Sequence, residues 1–400
     1  MGPTLGWGTS TSLRSPLRTD WTICFTTNLQ YRPVINVLCV AGARPNFVKI
    51  KPVIDALEKI GVAVTLVHTG QHYDASMSDI FFDELGIKPP DVSLNVGSGS
   101  HAEQTARIMV GFEPVVEKMR PDWILVAGDV NSTLACGLVG AKAGCRVGHI
   151  EAGLRSRDWT MPEEVNRVVT DRISDLLFAP SEDAVVNLRN EGYRPDQIVL
   201  AGNVMVDSLF SNVDRALKRP TLSNLGLAPK QYGVVTLHRP ANVDDEGMLV
   251  GLLRALGEVA VECPLVFPVH PRAASHLEAV GIPAGVRLIP PAGYLDFIAL
   301  QQGARIVLTD SGGVQEETTA MGVPCVTLRD NTERPITITE GTNHLAGRDP
   351  VNIIDIAHRV LIHPPEPRRP ALWDGHAGTR IAAAIEARSG ETNPRRPTDL

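Results

Sequence analysis

The sequence predicts an α/β protein built of two Rossmann-like domains facing a central cleft. Three observations point there. The chain has 400 residues, 43% apolar and 21% charged, which is more than one hydrophobic core usually organises. From Val34 onward, short apolar runs alternate with helix-length amphipathic segments, the pattern of βα units on a parallel sheet. A second series of the same kind begins after the polar stretch from Asp214 to Lys230.

In the first half the apolar runs place strands at Ile35 to Val40, Val62 to His68, Trp123 to Val126, Val147 to Ile150, Leu176 to Phe178 and Ile198 to Leu200. Helices are expected at Val48 to Lys59, Ser76 to Leu85, His101 to Lys118, Thr133 to Ala143, Pro162 to Ser174 and Glu182 to Asn190. The second half offers strands at Gly233 to Leu237, Leu265 to Pro268, Val286 to Leu288, Ile306 to Leu308 and Cys325 to Thr327. The domains are thus expected at 34–210 and 211–368, with the boundary near residues 206 to 215. A helix within 371–388, following the proline-rich Pro364 to Pro370 connector, is expected to pack back on the first domain. Residues 1–33, rich in Ser, Thr, Gly, Pro and Arg, read as a disordered extension, and 389–400 as a loose tail.

A net charge of −7 gives no general attraction to nucleic acid or acidic membranes, so neither is expected as a partner. The longest apolar runs are strand-length, short of the about 20 residues that span a bilayer. Six scattered cysteines with no C-x-x-C pair read as reduced core residues of a cytoplasmic protein.

Ala41 to Asn46 joins the first strand to a helix, so backbone N–H groups, Arg44 and, one turn later, Lys49 form an anion site. There is no G-x-G-x-x-G, and His68-Thr69-Gly70-Gln71-His72 stands where a nicotinamide site needs an acidic residue, which disfavours a dinucleotide. Thr309 to Glu317 is a strand end, a Ser311-Gly312-Gly313 turn and a helix start, suited to a diphosphate, with Glu317 able to accept both hydroxyls of a ribose. Asp129, Glu151 and Glu163 follow strand ends in the first half, and His238 ends the first strand of the second. Inverting a carbon needs a proton taken from one face and delivered to the other, a task for several carboxyl groups. Each has a plainer alternative: Thr160 with Glu163 fits a capping box, Asp129 and Glu151 fit turns, and His238 fits a packing role. The histidines complete no zinc pattern, and no G-x-S-x-G elbow is present; neither metal nor cofactor is expected.

From about residue 35 to 385 these segments, taken in order, resemble the non-hydrolysing UDP-N-acetylglucosamine 2-epimerase family. GARPNFVKI at 42–50, AGDVNSTLA at 127–135, GHIEAGLRS at 148–156, MPEEVNRVVTD at 161–171, TLHRPANVDD at 236–245, TDSGGVQEE at 309–317 and RDNTERP at 329–335 carry the likeness. The resemblance implies a glycosyltransferase-B-like fold, a homodimer, and a UDP-sugar substrate held by both halves. It implies Arg44 and Lys49 at the nucleotide or diphosphate, Ser311, Gly312 and Gly313 at phosphate, Glu317 at the ribose, Phe297 beside the uracil and Arg334 at the diphosphate. Asp129, Glu151, Glu163 and His238 match the active-site positions, and Gln71 and His72 match a second, activating site. The implied reaction is reversible epimerisation at carbon 2 of UDP-N-acetylglucosamine to UDP-N-acetylmannosamine, by elimination and re-addition of UDP. The sequence departs from the family at Ala43, Asn46, Tyr73, Ala292 and Pro335 to Thr337, which leaves open a 2,3-diacetamido uronic acid nucleotide as the sugar. A glycosyltransferase and a non-catalytic UDP-sugar sensor are the rival readings.

Overall fold

The computed structural model describes residues 35–71, 84–269, 271–388, 390–393 and 395; the expected extension at 1–33, most of the helix expected at Ser76 to Leu85, and His72 lie outside them. The first half forms strands β1 (Asn36–Ala41), β2 (Ala63–His68), β3 (Val92–Ser93), β4 (Trp123–Ala127), β5 (Arg146–Ile150), β6 (Leu176–Ala179) and β7 (Ile198–Leu200). They lie in the order β3-β2-β1-β4-β5-β6-β7, every pair parallel. The second half forms β8 (Gly233–Thr236), β9 (Leu265–Pro268), β10 (Val286–Ile289), β11 (Ile306–Thr309), β12 (Cys325–Thr327) and β13 (Asn343–Leu345), again all parallel, in the order β10-β9-β8-β11-β12-β13. Two doubly wound sheets are therefore present, the architecture expected, with two strands that the sequence reading missed. β3 has two residues and β13 carries Asn343 and His344, so neither shows an apolar run.

Both faces of each sheet are covered, which is why the strands read as continuous apolar runs. On one face of the first sheet, Val37, Cys39, Trp123 and Leu125 share a core with Phe47, Ile50, Val53 and Leu57 of α1 (Arg44–Lys59). On the other, Leu38, Val40, Ile124 and Val126 pack with Ile108 and Phe112 of α2 (His101–Met119) and Cys136 and Val139 of α3 (Asn131–Lys142). α1 begins four residues before the expected Val48, because Pro45 fits a first helical turn and the Asn46 carboxamide accepts from the N–H groups of Gly42 and Ala43. The helices α4 (Pro162–Ile173) and α5 (Glu182–Asn190) follow the expected places closely.

The boundary expected near 206 to 215 falls inside a helix, α6 (Val204–Leu217), whose apolar period went unread. It joins the sheets: Val204 and Met205 sit in the first core, while Val206 and Leu209 pack with Leu295 and Ile298. In the second half α7 (Glu246–Glu262), α8 (Pro271–Val280), α9 (Tyr294–Gly303), α10 (Gly312–Met321) and α11 (Pro350–Ile362) surround the sheet. The last helix, α12 (Ala377–Ala387), packs against α1 through Ile381 and Ile385, each fully buried and contributing about 1.5–3 kcal/mol of hydrophobic stabilisation. The described part of the tail expected to be loose is tied to the first half: Arg146 donates to the carbonyl of Glu391, Asn393 to that of Gly144 and Arg395 to that of Ile173. No described helix is long and apolar enough to cross a membrane.

α12 starts on Asp207 of α6, whose buried carboxylate accepts from the N–H groups of Ala377 (3.1 Å) and Gly378 (2.8 Å). Asp207→Ala removes this cap and is expected to cost about 1–2 kcal/mol in chemical denaturation. Amide exchange should quicken selectively in residues 377–387; an unchanged midpoint and exchange pattern would show that apolar packing alone seats the helix.

Candidate active site

Parallel strands bring their carboxyl ends to one edge, and the loops leaving β1, β4 and β5 hold the first cluster of charges. Lys49, one turn into α1, is ion-paired with Glu151, which follows β5; both are buried. Glu151 adopts φ +69°, unusual for a residue with a Cβ and costing on the order of 1–3 kcal/mol, so its neighbours must fix it. They do. His149 Nδ1 lies 2.6 Å from Asp171, and its Nε2 is 2.8 Å from the Gly128 carbonyl oxygen. Asp171 also accepts from the Gly153 N–H and pairs with Arg155 at 2.7 Å. Gly128, at φ +71°, closes the cluster: a Cβ there would stand 2.8 Å from Lys49 Nζ and 3.4 Å from Glu151 Oε2.

Asp129, next in the chain, pairs with Arg167 at 2.5 Å and keeps a quarter of its side chain exposed. Its burial would raise the carboxyl, but Arg167, Lys49 and Arg334 outweigh burial and hold it below the usual range, so it is ionised. Arg167 is in turn clamped by Glu164, which also accepts from the N–H groups of Ser156 (3.0 Å) and Arg157 (2.8 Å). Glu163 is exposed at the start of α4 and its charge reaches Arg239 of the second half. The capping box read from Thr160 does not form: Met161 is the cap position, and Thr160 Oγ1 donates to Asp158.

From the second half, α10 points its first turn at this cluster, with Ser311, Gly312 and Gly313 partly exposed. Arg334 lies over that turn, its guanidinium about where a Gly312 Cβ would go, at 3.0 Å from Nη1. Arg334 Nε is 2.9 Å from Glu316, which also accepts from the side chain of Asn203 at 3.0 Å, linking α10 to the junction ahead of α6. Burial pushes Glu316 up, Arg334 pulls it back and Glu151 adds to the rise, so carboxylates of both halves feel each other. The buried Glu151 Oε1 and Glu316 Oε2 have no hydrogen-bond partner among the described residues. The two carboxylates that carry these oxygens are ion-paired with Lys49 and Arg334.

Glu317, 5% exposed, accepts from Gln301 at 2.7 Å. Burial pushes its carboxyl up to about 7, with Glu316 adding and Gln301 and Tyr294 opposing. Phe297 and Ala292 are half-buried in the adjoining apolar cluster. His238 follows β8 with its side chain 63% exposed, and its Nδ1 is 2.8 Å from the buried Asp310. Of the other expected residues, Arg44 opens α1 and its side chain lies outside the described residues. Gln71 is buried, its Oε1 accepting from the backbone N–H (3.2 Å) and hydroxyl (2.8 Å) of Ser132, in a network that ties β2 to α3. His68 packs on the edge of Phe47, a structural place.

The sequence reading missed Arg167, Asp171, Asp310 and Glu316. Each lies within or beside a motif it singled out, and each acts on a partner distant in sequence or on one that only the folded chain makes close. Because the fold favours protonated Glu317, its ionisation destabilises the protein as pH rises from the ordinary carboxyl value to about 7. Across that window Glu317→Gln should gain on the unsubstituted protein by at most about 3 kcal/mol. Parallel stability profiles in urea titrations between pH 4.5 and 8 would contradict this.

A family model described as UDP-N-acetylglucosamine 2-epimerase matches residues 55–386. The UDP-N-acetylglucosamine 2-epimerase of Methanococcus maripaludis is 40% identical over 366 residues, covering 89% of this chain and 98% of that relative. The UDP-2,3-diacetamido-2,3-dideoxy-D-glucuronate 2-epimerase of Pseudomonas aeruginosa is 42% identical over 353 residues, covering 87% of this chain and 98% of that one. Among solved structures, the UDP-GlcNAc 2-epimerase of Methanocaldococcus jannaschii in complex with UDP-GlcNAc and UDP superposes with a TM-score of 0.81 at 38% identity, covering 88% of this chain and all of that one. The likeness expected from the motifs thus extends along nearly the whole described chain, which belongs to the UDP-N-acetylglucosamine 2-epimerase family.

Proposed function

We propose that the protein interconverts UDP-N-acetylglucosamine and UDP-N-acetylmannosamine. The observation that carries this is the meeting, around the first turn of α10, of the cations Lys49 and Arg334 with the carboxylates Asp129 and Glu151. In the reaction a carboxylate takes the proton from carbon 2 while the bond from carbon 1 to oxygen breaks, its electrons passing to the diphosphate. UDP leaves, a 2-acetamidoglucal stays bound, and UDP adds back to carbon 1 as a proton reaches the other face of carbon 2.

The departing diphosphate gathers negative charge, so Lys49, Arg334 and the N–H groups of Gly312 and Gly313 stabilise it where it forms, with Arg44 assisting. Glu317 accepts the ribose hydroxyls and Phe297 stacks on the uracil. Asp129, with a quarter of its side chain exposed, and Glu163, which is exposed, serve as the proton carriers, while Glu151 is paired with Lys49. We further propose a homodimer acting in the cytoplasm, supplying N-acetylmannosamine-type sugars to polysaccharide. The free buried thiols of Cys39, Cys136, Cys263 and Cys325 support a reducing compartment.

The P. aeruginosa relative favours a second reading, the same chemistry on a 2,3-diacetamido uronic acid nucleotide. Proton NMR in heavy water separates the two. With UDP-N-acetylglucosamine, UDP-N-acetylmannosamine should appear carrying deuterium at carbon 2, with little free sugar. Asp129→Asn and Glu163→Gln should each slow turnover by about 100- to 10,000-fold. Unchanged, undeuterated UDP-N-acetylglucosamine beside turnover of the diacetamido uronate would overturn the sugar assignment. Sugar transfer to an added acceptor would overturn the reaction itself.

A further inference from the structure

His238 stands on a rigid base. It follows β8, and Asp310 follows β11, the neighbouring parallel strand in which Thr309 pairs with Thr236. The two threonine hydroxyls bond each other at 2.6 Å, and the Asp310 N–H donates to the Thr236 carbonyl, so the two strand ends are tied just beneath the pair. Asp310 is completely buried. Its oxygens accept from the His238 N–H (3.0 Å), the Arg239 N–H (2.9 Å) and the Asn242 side chain (3.1 Å), and face His238 Nδ1 at 2.8 Å. A carboxylate held by this many donors is ionised and can only accept, so Nδ1 must carry the proton. The His238 side chain as a whole is 63% exposed.

We infer that Asp310 is a positioning residue for catalysis, which fixes the His238 ring with Nδ1 protonated and so turns Nε2 toward the bound sugar nucleotide. The inference rests on the reading, given above, that His238 belongs to the active site. Nε2 then has no competing proton position: it accepts when the ring is neutral and donates to a phosphate oxygen when it is charged. The logic is that of any buried carboxylate behind a working imidazole, where the carboxylate chooses the tautomer and holds the angle.

Two substitutions and one spectrum test it. In Asp310→Asn the amide oxygen keeps the backbone donors, its NH₂ faces Nδ1, and the neutral ring is driven to the opposite tautomer. Nitrogen-15 NMR of the imidazole should show His238 protonated at Nδ1 in the unsubstituted protein and at Nε2 in Asp310→Asn. Turnover of Asp310→Asn should fall by about 100-fold or more with little change in KM for UDP-N-acetylglucosamine. The double variant Asp310→Asn/His238→Gln should be no more than about threefold slower than His238→Gln alone, because the carboxylate acts through the ring. If the losses multiply, Asp310 only braces the loop and the inference fails. If His238→Gln retains full activity, the place of His238 in the site fails, and this inference with it; the single variant alone distinguishes that case. Should Asp310→Asn not fold, the spectrum of the unsubstituted protein still decides: a neutral His238 protonated at Nε2 overturns the inference.

Discussion

Where the two sheets present their strand ends, opposite charges are held at close range. Lys49 with Glu151 from one half, and Arg334 with Glu316 from the other, are four buried ions within reach of each other's fields. Taking such groups out of water costs several kcal/mol per ion, which mutual attraction repays only when geometry and hydrogen bonding are good. Here the repayment is incomplete, since one oxygen of each glutamate has no hydrogen-bond partner among the described residues. A diphosphate entering between the two cations would take over part of their pairing.

The rest of the fold keeps that cluster in register. Glu151 holds its left-handed conformation because His149 and Asp171 pin the backbone on either side, and Arg167 holds Asp129 because Glu164 holds Arg167. Asn203 uses both ends of its amide, capping α6 with its oxygen and binding Glu316 with its nitrogen. The cluster is thus tied directly to the helix that joins the two sheets. The same devices give each carboxyl group a different character: Asp129 is kept ionised by cations, while burial pushes Glu317 up to about 7.

Much of this was legible in the sequence. Strands buried on both faces announce themselves as apolar runs, and residues that follow a strand end, such as Asp129, Glu151 and His238, announce the cleft edge. What stayed hidden is what local pattern cannot encode. β13 is too short and polar to read as a strand, and α6 reads as a boundary because a helix that joins two domains looks, in one dimension, like the gap between them. The supporting charges were hidden for a related reason. Asp310 sits 72 positions from His238, and Glu316 113 positions from Asn203, so only the parallel register and the packing of α10 bring them together.

The central claim is that the ion-paired cations are a diphosphate site. The most direct measurement is a crystal structure of the protein soaked with UDP, reading the distances from the phosphate oxygens to Lys49 Nζ and to the Arg334 guanidinium. The account requires both cations within hydrogen-bond distance of phosphate, with their contacts to Glu151 and Glu316 lengthened or shared. UDP bound with both ion pairs intact and no phosphate contact to either cation would contradict it.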